Sequence, residues 1–201
     1  MKNNYQYVDP DYTYTDSATG LLRNKENIDN NQLLTVFESM KCTERLEELA
    51  KNPVKIKNSS SLLDIHRYLF QDVYEWSGKK RTVEISKQGK PFFITAYFDN
   101  GFAHIDTLII EYRKVDSADK ARLAVCLANL FDSINYLHPF REGNGRTQRE
   151  FLRTLALEKG YSLNLNPPDN ADVYERYMSG TIEGDVDKLA ALIGELLEGS
   201  E

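Results

Sequence analysis

Little in this chain of 201 residues suits it to disulfides, zinc or a bilayer. The two cysteines, Cys42 and Cys126, are isolated, and the second lies in an apolar helical run, so reduced, buried thiols are expected rather than a bridge. Three histidines, His66, His104 and His138, are scattered with no second ligand at metal-site spacing, which argues against zinc. No signal peptide is evident, and no apolar run approaches the roughly 20 residues of a membrane helix, so the expectation is a soluble, cytoplasmic protein with no membrane contact. Basic charge is also short: 25 Lys and Arg against 31 Asp and Glu leave a net charge of −6, which disfavours direct binding of nucleic acid. No internal repeat or low-complexity segment stands out.

What remains is a chain 41% hydrophobic and 28% charged, long enough for one well-buried core and short for two. A single domain over residues 1–201, mainly α with one small hairpin, is the simplest reading. Residues 1–20 are rich in tyrosine (Tyr5, Tyr7, Tyr12, Tyr14) without sustained periodicity, and read as an arm laid over the domain. Helical spacing begins after Asp29 as N-cap (Leu33, Leu34, Phe37, Leu46, Leu49) and resumes after the serines at 59–61 (Leu62, Leu63, His66, Leu69, Phe70, Val73). Further helices are expected from Phe102 to Tyr112, from Leu123 to Leu137, and from Leu189 to Leu197 with Asp185 as cap. Between them, residues 82–86 alternate, Lys87-Gln88-Gly89-Lys90 reads as a turn, and Pro91 to Phe98 is aromatic and β-branched, which predicts a β-hairpin over 82–98.

The densest chemistry lies in residues 138–149, HPFREGNGRTQR. The helix through Leu137 is ended by Pro139, and the residue before a proline is pushed out of helical geometry, so His138 is expected at the lip of the helix with its ring turned into a cavity. A second helix should start at about Asn144 to Arg146 and stop at Gly160. Its first-turn N–H groups, beside Gly143 and Gly145, form an anion site of backbone. Arg146 and Arg149 lie three apart on one helix face and can grip one polyphosphate, Glu142 can ligate magnesium, and His138 can act as a base near neutral pH. The segment reads as a nucleotide-transfer site.

These residues resemble the signature of the Fic domain family, HPFx(D/E)GNGRxxR, at every specified position. The stretches IHRYLFQDVYEWSGKKR from Ile65 to Arg81 and Tyr177 to Leu197 are also similar to that family, so the resemblance spans about residues 5–198. It implies a Fic-type helical fold and transfer of AMP from ATP to a Ser, Thr or Tyr hydroxyl of a target protein, with release of pyrophosphate. In that scheme His138 takes the hydroxyl proton and Glu142 holds Mg2+. Gly143, Asn144 and Gly145 cradle phosphate, and Arg146 and Arg149 neutralise the β- and γ-phosphates. The resemblance also makes the hairpin a flap that holds the target's backbone in strand fashion, with Ile85, Gln88, Gly89, Phe92 and Phe93 as docking residues. A structural role for Ile85, Phe92 and Phe93, pinning the hairpin to the core, is the plain alternative.

The run YTYTDSATGLLRNKENID resembles the stand-alone toxin branch of the family. That branch implies a small antitoxin partner supplying an inhibitory glutamate, and targets such as the DNA gyrase B subunit or topoisomerase IV. Self-inhibition is the alternative, because Ser179-Gly-Thr-Ile-Glu183-Gly184 fits the family's inhibitory string, whose glutamate would pair with Arg149; a non-catalytic nucleotide-binding scaffold is another. Elsewhere the residues read as structural. His66 is expected in the core or as a cap, Trp76 and Phe140 as core, and Arg153 as a solvated helix residue.

Overall fold

The structure, a computed structural model, describes residues 5–87, 89–166 and 170–199. The described helices are α1 (Asn31–Lys51), α2 (Ser61–Phe70), α3 (Phe98–Lys114), α4 (Lys120–Leu137), α5 (Asn144–Glu158), α6 (Ala171–Glu183) and α7 (Val186–Leu196). Helix α4 is the axis of the core: Leu123, Leu127, Leu130, Phe131, Ile134 and Leu137 recur at three- and four-residue steps and are all buried. That stripe is wide enough to be covered by α3, α5 and α7 together, while α2 packs between α1 and α5. The mainly α expectation is met.

Two small antiparallel sheets accompany the helices. One has the order β1 (Tyr5–Val8), β2 (Glu84–Lys87), β3 (Lys90–Pro91), and the other joins β4 (Tyr161–Ser162) to β5 (Glu198–Gly199). The hairpin therefore exists but is shorter than the alternating pattern predicts. Gly89 turns it at φ +77, and beyond Pro91 the chain leaves the ladder for a 3-10 turn at Thr95–Tyr97 and then α3, which starts four residues before the expected Phe102. The cause is tertiary. Phe93 N–H bonds to the Tyr136 carbonyl of α4 at 3.0 Å, so the second arm is captured by the helix instead of extending the strand. Gln88 lies outside the described residues.

Other expectations shift by small amounts. The first helix is capped by Asn30 rather than Asp29, its side chain accepting from Leu33 N–H at 3.0 Å. Asp185 caps α7 as expected. Helix α6 has no counterpart among the expected helices. Both cysteines are free, yet only Cys42 is buried; Cys126 is half-buried on the flank of α4. The N-terminal arm is more than a cover. It adds β1 to the flap as a third strand, with Tyr5 opposite Lys87 and Tyr7 opposite Ile85. Tyr14 anchors its far end by accepting from Thr82 N–H at 3.0 Å and packing edge-on against Trp76.

Candidate active site

Helix α4 ends at Leu137, and His138 leaves it in the left-handed region, at φ +44 and ψ +60. Pre-proline sterics predict departure from the helix but an extended conformation. The left-handed one is sparsely populated by non-glycine residues and persists where surroundings enforce it. Here the enforcing group is Arg81. Its side chain is fully buried, and it donates to the carbonyls of His138 at 2.8 Å, Val83 at 2.6 Å and Phe93 at 2.5 Å. Arg81 N–H also bonds to the Pro139 carbonyl at 2.7 Å. One guanidinium thus ties the flap to the turn that carries the histidine.

The His138 ring is buried, stacked on Phe92 with centroids 3.8 Å apart and tilted against Tyr5 at 5.8 Å. Its Nδ1 lies 3.3 Å from the Asn135 carbonyl. A carbonyl only accepts, so this contact assigns the proton to Nδ1 and the lone pair to Nε2, the arrangement a general base needs. Burial pushes its pKa down from 6.5 to about 3, with the nearby Arg81 and Lys87 charges adding to the effect and the Asn135 bond opposing it. The ring is neutral while covered.

The loop that follows is built by its own side chains. Phe140 is buried against His66, with ring centroids 3.8 Å apart. His66 accepts from Gly78 N–H at Nδ1 (2.8 Å), which leaves Nε2 to donate to the Glu142 carbonyl (3.0 Å), so this core histidine braces the loop from below. Asn144 is buried, and its side-chain amide is used within the loop, accepting from Phe140 N–H at 2.9 Å and donating to the Phe140 carbonyl at 2.8 Å. The Asn144 amide thus closes the turn that carries the glycines. Gly143 is the N-cap of α5 at φ +81, so no side chain caps the first turn. A Cβ on Gly143 would sit 2.4 Å from the Phe70 ring, so both conformation and space require glycine there.

The two arginines project from the first turns of α5. Arg146 lies over Phe70, 4.6 Å from its centroid, and donates to Glu38 of α1 at 2.5 Å; Tyr74 donates to the other Glu38 oxygen. Arg149 has no carboxylate partner among the described residues and donates to the Tyr177 hydroxyl at 3.1 Å. Glu142 is partly exposed; one oxygen accepts from Gly143 N–H at 2.9 Å and lies 3.7 Å from Arg146, and the other has no hydrogen bond among the described residues. His138, Glu142, Gly143, Gly145, Arg146 and Arg149 thus share one loop and helix start. A cavity of about 330 Å3 is lined by Tyr5, Lys87, Phe92, Asn135 and Thr181, among others, and by none of those six residues.

The flap residues divide. Ile85 is in the core, Phe92 covers the catalytic candidate, Phe93 meets Tyr136 edge-on, and Gly89 is the exposed turn. Glu183 does not approach Arg149. It pairs with Ser179 at 2.9 Å and Lys188 at 2.5 Å at the end of α6. Arg153 is neither a phosphate clamp nor freely solvated: it pairs with the buried Glu150 at 2.7 Å and donates to the Leu49 carbonyl. Arg81, Glu38 and Tyr177 were not singled out from the sequence.

The two buried histidines give the fold a pH dependence with a definite sign. Burial also pushes His66 down from 6.5 to about 3. Between those values the unfolded chain binds protons that the folded chain does not, so stability is fully present above about pH 6.5 and is lost as pH falls toward 3, at up to ~1.4 kcal/mol per pH unit for each histidine. Urea unfolding at pH 7, 6 and 5 should show this fall; a free energy that does not change over the range would mean that these rings are accessible in solution.

Similarity to known proteins follows the same residues. Residues 56–156 match the profile described as "Fic/DOC family". The chain is 32% identical over 181 residues to "Protein adenylyltransferase VbhT" of Bartonella schoenbuchensis, covering 90% of this chain and 38% of that one, so it spans well under half of that relative. It is 33% identical to "Probable protein adenylyltransferase y4lH" of Sinorhizobium fredii, covering 90% of this chain and 93% of that one. Among solved structures, BepC of Bartonella tribocorum with bound AMPPNP superposes with a TM-score of 0.83 at 19% identity, over 94% of this chain and 98% of that one.

Proposed function

The chain belongs to the Fic/DOC family as an enzyme of the protein adenylyltransferase kind, and we propose that it moves AMP from ATP onto a serine, threonine or tyrosine hydroxyl of another protein, as the toxin of a toxin–antitoxin pair. The observation that carries the reading is the His138 Nδ1 contact with the Asn135 carbonyl, which leaves the lone pair to Nε2, six residues before a helix start that offers uncapped N–H groups and two guanidiniums. The polyphosphate would lie along the start of α5. Arg149 and the unused donors of Arg146 would take the outer phosphates, and backbone N–H groups beside Gly143 and Gly145 the inner oxygens. His138 would accept the proton of the attacking hydroxyl as the bond between the α- and β-phosphates breaks.

Glu142 fits a magnesium site of modest protein content. Among the described residues no group of three acidic, imidazole or thiol side chains exists that could hold a metal alone. Magnesium commonly takes one or two carboxylates and fills its sphere with phosphate oxygens and water, which suits the single unengaged Glu142 oxygen. When bound it would offset charge on the phosphates.

The test is incubation of the full chain with magnesium, a lysate of the native host and ATP labelled at either the α- or the γ-phosphate. Label from the α position alone, on protein, is the expected result. Transfer of γ-label, or ATP binding without any modified protein, would overturn the reading, the latter in favour of a scaffold.

Inhibition is proposed to come from a separate antitoxin, because the one internal candidate, Glu183, is engaged by Lys188 and Ser179. Glu183→Gly is therefore expected to leave the labelling rate of the purified chain unchanged. A large rise would return Glu183 to the inhibitory role. The target, with the DNA gyrase B subunit and topoisomerase IV as candidates, would be identified by mass spectrometry of the labelled lysate.

A further inference from the structure

Strand β1 shows how an extended segment lies along the flap. It runs antiparallel to β2 on the edge away from β3, with Tyr5 opposite Lys87 and Tyr7 opposite Ile85. Alternation puts Tyr5 and Tyr7 on one face, and their rings stack with centroids 6.0 Å apart. Each ring has a cation over it. The Lys87 ammonium lies 4.9 Å from the Tyr5 centroid, and the Arg141 guanidinium 3.4 Å from that of Tyr7. In a chain of net charge −6, two cations facing successive side chains on one face of a strand make this groove locally basic.

Arg141 stands out for what it lacks. It is 7% exposed, its Nε is buried with no hydrogen-bond partner, and no carboxylate pairs with it among the described residues. Other arginines near the site are engaged: Arg81 by three carbonyls, Arg146 by Glu38 and Arg149 by the Tyr177 hydroxyl. A phenol ring attracts the flat face of a guanidinium but accepts none of its in-plane N–H groups, so the stack on Tyr7 leaves a charge short of acceptors out of water. A carboxylate would take those donors in pairs. Because Tyr7 covers the guanidinium, whatever replaces β1 on the flap presents the group that meets it.

We infer that Arg141 selects the target: the flap edge takes an extended target segment in place of β1, with a carboxylate two residues after the hydroxyl that receives AMP. The inference rests on the adenylyltransferase reading and specifies its substrate. In the register of β1, the hydroxyl residue occupies the place of Tyr5, whose ring centroid is 5.8 Å from that of His138, and the second residue after it occupies the place of Tyr7. An Asp or Glu there meets the Arg141 fork, whereas a Lys meets a like charge and is rejected. The arm itself carries a neutral tyrosine at that place, which leaves it displaceable by a segment with the carboxylate.

The probes are short synthetic peptides, otherwise uncharged, with one central tyrosine and Glu, Gln or Lys two residues after it. They are offered to the full chain with ATP and magnesium and read by mass spectrometry. Expected is a kcat/KM for the Glu peptide roughly 10- to 100-fold above that for Gln, the span of a hydrogen bond to a charged group, with Lys lowest. Arg141→Gln should remove the preference and Arg141→Glu should turn it toward Lys, a reversal that a merely structural loop residue would not give. Equal rates for the three peptides, or a preference that survives in Arg141→Gln, overturn the inference. The arm gives a second reading that needs no peptide. Tyr7→Glu supplies the carboxylate from within, so it should raise the melting temperature and slow the labelling of a host lysate, and both effects should vanish in the Arg141→Gln background. If the lysate is labelled and no peptide is, the arm decides: a Tyr7→Glu chain that melts no higher than the parent rejects Arg141 as the selecting group. A labelled lysate beside a flat peptide series sinks this inference alone, and a parent chain that labels neither sinks the adenylyltransferase reading with it.

Discussion

His138→Ala is expected to lower AMP transfer by about 10²–10⁴-fold, the usual contribution of a positioned general base, or about 3–5 kcal/mol of barrier. The argument is positional. The Asn135 carbonyl selects the tautomer with its lone pair on Nε2, Arg81 fixes the backbone turn, and Phe92 packs the ring face. None of these contacts involves Arg146, Arg149 or Glu142, so ATP affinity measured by calorimetry with magnesium should change little while the transfer rate collapses. A variant that keeps most of its rate would remove His138 from the chemistry. One that loses ATP binding in proportion would make it a structural post of the loop. The covered ring also predicts a gating requirement. With a pKa near 3 it is a poor base while buried under Phe92 and Tyr5, and exposure on movement of the flap or arm would return it toward its ordinary basicity.

The helices were legible because their period was strong. The α4 stripe from Leu123 to Leu137 could be read to its end, since Pro139 marks a stop that local sterics alone dictate. The flap was legible in existence and not in extent. Pro91 to Phe98 has the composition of a strand, but Phe92 and Phe93 are recruited by His138 and Tyr136, contacts that come from residues distant in sequence. The same reason hides β1. Four residues, Tyr5–Val8, are strand only because β2 offers an edge.

Within the site, the loop 138–149 was readable because its parts are contiguous. What was hidden is whatever supports it from elsewhere. Glu38 did leave a trace: it falls midway between Leu34 and Cys42 at four-residue steps, so a carboxylate occupies the buried stripe of α1 and needs a cation opposite. Arg146, more than a hundred positions away, is that cation, and the pair orients one of the two phosphate candidates. Asn144 has a structural role that its neighbours in sequence do not announce. Its place between two glycines suggests ligand contact, but a short amide at a tight turn satisfies neighbouring backbone first. Arg81 left no sequence signal, since it ends the run Lys79-Lys80-Arg81 that reads as a solvated turn.

Arg81→Ala should therefore be the most damaging substitution outside the motif. It strips the donors from three carbonyls, those of His138, Val83 and Phe93, and empties the space of a side chain with no solvent exposure. Each buried acceptor left unpaired costs ~1–3 kcal/mol, offset in part because a buried cation is also removed, for a net loss of roughly 3–5 kcal/mol. At ~2–4 °C per kcal/mol for a chain of this size, the melting temperature should fall by roughly 10 °C. Lysine should not rescue it, because an ammonium is a point donor and cannot span carbonyls on the flap and on the histidine turn together. A second readout separates stability from positioning: well below its melting temperature, the variant should still bind ATP yet transfer AMP slowly, because His138 has lost the contact that holds its left-handed turn. If Arg81→Ala melts with the parent and transfers at the parent rate, those carbonyls find water in solution, and the flap is not tied to the histidine through this residue.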